Sequence, residues 1–264
     1  MPSPKGIAMA IKAGPSGRKT ALVTGASRGI GRAIALGLAE AGFDLVLNDL
    51  DRQREQLAVV EREAGALGSR TLVVYGDVSK KADVEAMVAA ALGAVPAIDA
   101  VVNNAGILTS AAIDDLTEAQ WDAVFAVNAK GTFLVVQALL PHMKARRYGR
   151  IVNIASMGGK HGGPGQAHYC ATKAAVMGFT RVLALEVGSF GITANSICPG
   201  IIVTDMGRVN LQDEANSALW IGRTALGRLG QPEDVVGAAV FFAGDASAFI
   251  TGQSLNVDGG IVLS

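Results

Sequence analysis

Seven short aliphatic or β-branched runs recur along this chain, each separated from the next by a segment long enough to form a helix. They fall at 21–24, 45–48, 71–75, 100–103, 150–155, 193–197 and 254–257. Helical patterns lie between them, for example at 52–63, 82–92, 121–144, 168–187 and 232–243. Such alternation predicts an α/β fold: a doubly wound (Rossmann) parallel seven-stranded sheet with helices on both faces. Right-handed crossovers then bring the C-terminal ends of all strands to one edge, where ligands of such sheets bind.

The composition agrees with a buried parallel sheet. Half of the 264 residues are hydrophobic and 33 are glycine. One domain over 18–264 is expected, preceded by a flexible extension over 1–17. The apolar patch at 7–11 is too short to span a bilayer, and no later apolar run looks long enough without charge, Gly or Pro. Formal net charge is zero and there is no basic stripe, so neither nucleic acid nor a membrane surface is an expected partner. Cys170 and Cys198 give no disulfide framework and read as small buried hydrophobes. This fits a reducing, cytoplasmic setting. His142, His161 and His168 lack metal-ligand spacing, so no metal is expected, and His142 reads as a surface residue. The stretch 206–230 is polar and the least regular, a candidate lid over a substrate.

Two local patterns carry chemistry. After the first strand-like run comes Thr24-Gly25-Ala26-Ser27-Arg28-Gly29-Ile30-Gly31, followed by a helical pattern. Glycines there let the backbone approach a pyrophosphate, and a helix N-terminus offers free N–H groups. The second pattern is Ser156 followed by Tyr169 and Lys173. On a helix, Tyr169 and Lys173 share one face, one turn apart. An ammonium at that distance is expected to favour the phenolate and lower the phenol's pKa. The phenol then exchanges a proton with a carbonyl or alcohol oxygen that Ser156 holds.

These motifs, with Asp77-Val78, Asn103-Asn104-Ala105-Gly106, Asn128, Pro199-Gly200 and Asn256-Val257-Asp258-Gly259-Gly260, resemble the short-chain dehydrogenase/reductase family over roughly residues 18–264. The resemblance implies a nicotinamide-dependent oxidoreductase acting on a secondary alcohol and its ketone. Its catalytic residues are then Asn128, Ser156, Tyr169 and Lys173, with Tyr169 as acid/base and Asn128 holding a water that links Lys173 to solvent. The cofactor residues are Gly25, Ser27, Arg28, Gly29, Ile30, Gly31, Asp49, Asp77, Val78, Asn104, Ala105, Gly106, Tyr169, Lys173, Pro199, Gly200, Ile202 and Thr204. Asp77 and Val78 would meet the adenine ring, and Ile202 and Thr204 the carboxamide and phosphates. Met157, His161 and Gln166 surround the Gly-rich stretch between Ser156 and Tyr169 and are candidates for substrate contact.

The expected cofactor is NAD, with NADP possible. Asp49 follows the second strand-like run, where a carboxylate binds ribose hydroxyls and repels a 2′-phosphate; Arg28 and Arg52 pull the other way. β-Ketoacyl-acyl-carrier-protein reductases and polyol dehydrogenases are the most similar groups. Arg146 and Arg147 would suit an acidic carrier protein, but Phe190 stands where such reductases usually place a second basic residue. A non-catalytic cofactor-binding sensor or scaffold is the alternative class, and the full set of four catalytic residues argues against it. The helical segments 121–144 and 168–187 are apolar around much of their circumference, so each needs cover on two sides; the resemblance implies a homotetramer in which they pair across a dimer axis.

Overall fold

The computed structural model describes residues 17–211 and 213–263. Except for Gly17, the expected N-terminal extension lies outside the described residues. Seven strands form one sheet: β1 Thr20–Thr24, β2 Asp44–Asp49, β3 Thr71–Tyr75, β4 Ala100–Asn103, β5 Gly149–Ile154, β6 Ile192–Pro199 and β7 Ser254–Val257. Their spatial order is β3-β2-β1-β4-β5-β6-β7, and every pair is parallel. The order reverses between β1 and β4, which opens a crevice at their C-terminal ends.

Nine α-helices connect or flank the strands among the described residues: α1 Gly29–Glu40, α2 Arg54–Ala66, α3 Lys81–Ala94, α4 Glu118–Phe125, α5 Gly131–Arg146, α6 Gly158–His161, α7 Ala167–Val187, α8 Glu214–Arg223 and α9 Pro232–Ala243. The period-2 alternation of the strands feeds two cores. Ala21 and Val23 of β1 face α1, α2 and α9 through Ile34, Leu38, Leu57 and Val235. Leu22 points the other way, toward Met87 of α3, Leu139 of α5 and Leu183 of α7.

Five expectations change. The single helix expected over 121–144 is two helices, joined by a wide π-type turn at Ala126–Lys130. Together Glu118–Arg146 is long and apolar enough by length and composition to cross a membrane. Leu134, Val135, Leu139 and Met143 are nevertheless buried in the second core. The irregular stretch 206–230 holds α8, which starts because Asp213 accepts the Asn216 N–H at 2.7 Å and so caps it. No residue of α8 is buried. His142 is half-buried, not superficial: its Nε2 accepts the Ile98 N–H at 3.2 Å, and burial pushes its pKa down. Cys198 is buried as expected, but Cys170 only partly.

Candidate active site

The C-terminal ends of β1, β4, β5 and β6 converge on one edge. Thr24, the last residue of β1, accepts the N–H groups of Asn104 and Ala105 on its Oγ1 at 3.1 Å each. The Asn104 side chain donates back to the carbonyls of Thr24 and Gly25, both at 3.0 Å. The amide of Asn104 thus shapes the glycine turn. Crowding explains the glycines: a Cβ on Gly31 would sit 2.1 Å from the Gly25 carbonyl oxygen. Gly25 itself has φ +63°, a conformation side chains disfavour.

The turn leads into α1, whose N-cap Arg28 supplies no side-chain hydrogen bond. The first N–H groups of α1 are therefore not capped by a side chain. Ser27 Oγ is buried and has no hydrogen-bond partner. Uncapped helix N–H groups beside an orphaned hydroxyl fit the pyrophosphate of a dinucleotide. Ile30 packs on the first core. At the adjoining strand end, Asp49 accepts the Ser27 N–H at 3.1 Å and the Leu50 N–H at 2.8 Å. Its carboxylate is therefore fixed beside the turn. Burial pushes the Asp77 carboxyl up, but hydrogen bonds from Ser79 and the charge of Lys80 outweigh it and hold the pKa below the ordinary range. Val78 is buried, and a Cβ on Gly131 would lie 2.9 Å from it.

On the other side of the crevice stand Ser156, just beyond β5, and Tyr169 and Lys173 on α7. Ser156 Oγ accepts the Gly158 N–H at 3.0 Å. Lys173 is buried, and its Nζ donates to the Ile154 carbonyl at 2.7 Å. It lies 5.6 Å from the centroid of the Tyr169 ring. The expected lowering of the phenol's pKa is overturned here. Burial pushes Tyr169 up to about 12, only partly countered by its hydrogen bond with Ser156. Burial likewise pushes Lys173 down to about 8. Desolvation disfavours the charged form of both groups, and the ammonium is spent on a backbone carbonyl.

Asn128 sits in the wide turn, buried. Its Oδ1 accepts the Ile107 N–H at 2.8 Å, and its Nδ2 donates to the Ile107 carbonyl at 3.0 Å and to Thr172 at 3.2 Å. Both amide hydrogens are thus engaged, and the side chain pins the loop after β4. A Cβ on Gly106 would lie 3.3 Å from Asn128 Oδ1 and 3.7 Å from Lys173 Nζ, so glycine there lets both approach the loop. Pro199 closes β6, and the Gly200 N–H donates to Val257 at 3.0 Å. Ile202 is buried and bridges Gly230. Thr204 accepts the Gly207 N–H at 2.9 Å, and its methyl lies 3.4 Å from where a Cβ on Gly29 would start.

Of the three substrate candidates, His161 is exposed, whereas Met157 and Gln166 are buried. The Met157 N–H is tied to the Pro199 carbonyl at 3.0 Å. Two supporting residues carry no sequence signal. Thr172 links Asn128 to the Tyr169 carbonyl, to which it donates at 2.7 Å. His168, fully buried, meets Thr109 Oγ1 at 2.7 Å and holds the loop after β4 against α7. Arg146, at the far end of the sheet, is engaged: it pairs at 2.8 Å with Asp99, which is buried. Arg147 donates to the Ser189 carbonyl at 2.8 Å, and Phe190 lies beneath Lys144 and Arg147.

Comparison with known proteins finds relatives over nearly the whole chain. A family model described as enoyl-(acyl carrier protein) reductase matches residues 25–262. The chain is 43% identical over 242 residues to the (2S)-[(R)-hydroxy(phenyl)methyl]succinyl-CoA dehydrogenase subunit BbsD of Thauera aromatica, covering 92% of this chain and 96% of the relative. It is 41% identical over 245 residues to the 3-oxoacyl-[acyl-carrier-protein] reductase FabG of Staphylococcus aureus, covering 93% and 98%. Among solved structures, a gluconate 5-dehydrogenase from Burkholderia cenocepacia in complex with NADP and tartrate superposes with a TM-score of 0.88 at 40% identity, covering 92% and 94%.

Proposed function

This chain belongs to the short-chain dehydrogenase/reductase family, and from that premise we propose how its own residues carry out nicotinamide-dependent interconversion of a secondary alcohol and its ketone. The observation that carries the reading is the meeting of Ser156, Tyr169 and Lys173 beside a glycine turn whose Ser27 hydroxyl is buried without a partner. The residues that fit a dinucleotide are the glycine turn from Gly25 to Gly31, Asp49, Asp77, Asn104 to Gly106, Lys173 and the segment from Pro199 to Thr204. When bound there, the nicotinamide donates or accepts the hydride.

Ser156 holds the substrate oxygen by a hydrogen bond. Tyr169 gives that oxygen a proton in reduction and takes it in oxidation. A phenol pushed up to about 12 is neutral at pH 7, the form needed to donate. Lys173 keeps α7 against β5 and sets the field around the phenol. Asn128 fixes the loop after β4 through Ile107, and a proton path from Lys173 to solvent runs past it.

The cofactor preference is NAD. Asp49 occupies the ground next to Ser27 that a 2′-phosphate needs, and two negative groups in a partly desolvated site repel. The bound NADP of the gluconate 5-dehydrogenase is the observation on the other side. The substrate is a secondary alcohol or its ketone; the engagement of Arg146 with Asp99 favours a small one, and the similarity to the carrier-protein reductase of Staphylococcus aureus supports a β-ketoacyl-acyl-carrier-protein substrate as the alternative. The assembly is a homotetramer and the setting cytoplasmic. A panel of polyols, hydroxyacids, β-ketoacyl thioesters and simple ketones, run with both cofactors and read by reduced-nicotinamide absorbance, tests the reading. Turnover confined to small alcohols and ketones supports it; no turnover with any of them overturns it in favour of a sensor or scaffold.

A further inference from the structure

Asp205 stands on the segment running from the end of β6 toward α8, and its carboxylate faces the glycine turn. Oδ2 lies 3.6 Å from Nη1 of Arg28. Two packed backbone stretches set up this encounter. Thr204 lies against Gly29, and its hydroxyl accepts the Gly207 N–H, which fixes the turn that carries Asp205. Asp205 has a short side chain, so little freedom is lost in holding it there. Arg54, beyond β2, is already engaged: it pairs with Asp51 and lies 4.5 Å from the Tyr75 ring centroid. Arg28 adjoins Ser27, whose N–H is held by Asp49. With Arg52 beyond β2, it is a guanidinium that a phosphate on the adenosine ribose would recruit.

We infer that Asp205 is a specificity-determining residue: by pairing with Arg28 it withholds that guanidinium from a 2′-phosphate and, with Asp49, sets the preference for the dinucleotide that lacks one. This rests on the reading that the glycine turn binds a nicotinamide dinucleotide. To recruit Arg28, the phosphate of NADP must break the Arg28–Asp205 pair and displace that carboxylate. The side chains are 63% and 66% exposed. A pair so exposed is worth up to ~1 kcal/mol, or about fivefold in affinity, and weakens with salt.

The test is calorimetric titration of the full chain with NAD and NADP, at low and at high salt. Asp205→Asn, and Asp205→Ser as a second replacement, should each raise the NADP:NAD affinity ratio about fivefold at low salt. The gain should shrink at high salt and vanish in the Arg28→Ala background. An unchanged ratio in both Asp205 variants overturns the inference, as does a gain that persists without Arg28. Wild-type protein that binds NAD while the ratio stays fixed overturns this inference alone. Wild-type protein that binds neither dinucleotide overturns the cofactor reading with it.

Discussion

Lys173 Nζ donates to the Ile154 carbonyl at 2.7 Å, which ties the second turn of α7 to the last residue of β5. Ile154 precedes Ser156 by two positions, so this bond sets the spacing between the strand end bearing the serine and the helix bearing Tyr169. The lysine is a brace as well as a charge.

Tyr169→Phe removes the transferable proton and little else. Turnover should fall by roughly 10²–10⁴-fold, while dinucleotide affinity stays near the wild-type value. Steady-state kinetics with calorimetric binding checks both halves. A kcat close to wild type would dismiss Tyr169 as the acid/base.

Lys173 gives a stability signature with a definite sign. Its folded pKa of about 8 lies below the ordinary 10.5, so above pH 8 the unfolded chain holds more protons. Stability from this group is full above the unfolded pKa and is lost as pH falls through about 8. Tyr169, raised to about 12, acts oppositely, but only above about pH 10. The stability advantage of Lys173→Met over wild type in urea unfolding should therefore shrink from pH 8 to pH 10. A difference constant over that window would count against the buried ammonium.

Asp49→Asn keeps an acceptor for the Ser27 N–H while removing the charge. The NADP:NAD affinity ratio should rise by about tenfold or more, at ~1.4 kcal/mol per decade. Equal affinities for both cofactors in the wild type would defeat the role given to Asp49.

Phe133 on α5 and Val182 and Leu185 on α7 are exposed apolar side chains, and Phe133 meets the Phe179 ring edge-on at 6.2 Å. They suit the pairing of these helices between subunits. Val182→Asp should shift the sedimentation profile to smaller species at micromolar concentration. A wild type that sediments as a monomer would refute the tetramer.

Arg146→Ala should act on stability, not on carrier recognition. It strips the charged partner from buried Asp99, a loss of roughly 1–3 kcal/mol. Measured in urea, that loss should appear while kcat/KM for carrier-linked and small β-ketoacyl thioesters changes equally. A selective fall for the carrier-linked substrate would restore a docking role.

The strands were legible because a parallel sheet buried on both faces demands apolar runs of fixed length. All seven observed strands overlap the expected runs, with ends differing by up to two residues, as between 193–197 and Ile192–Pro199. Tyr169 and Lys173 were legible because helical spacing alone puts them on one face. The direction of the phenol's pKa was not: it depends on how deeply the site is desolvated, and spacing says nothing of depth. The break at Ala126–Lys130 was hidden too, since no proline marks it. Nor does any local pattern announce that Arg146 is engaged with Asp99, 47 positions earlier. Pairings across such distances are set by packing.

The hydrogen bonds from Asn104 to the carbonyls of Thr24 and Gly25 reach across about 80 residues. While the chain is being synthesised, the glycine turn emerges long before the amide that shapes it. The bonds from Lys173 to Ile154 and from Gly200 to Val257 close later still. A nascent chain halted short of β7 therefore lacks the strand that holds Gly200 and pairs with β6.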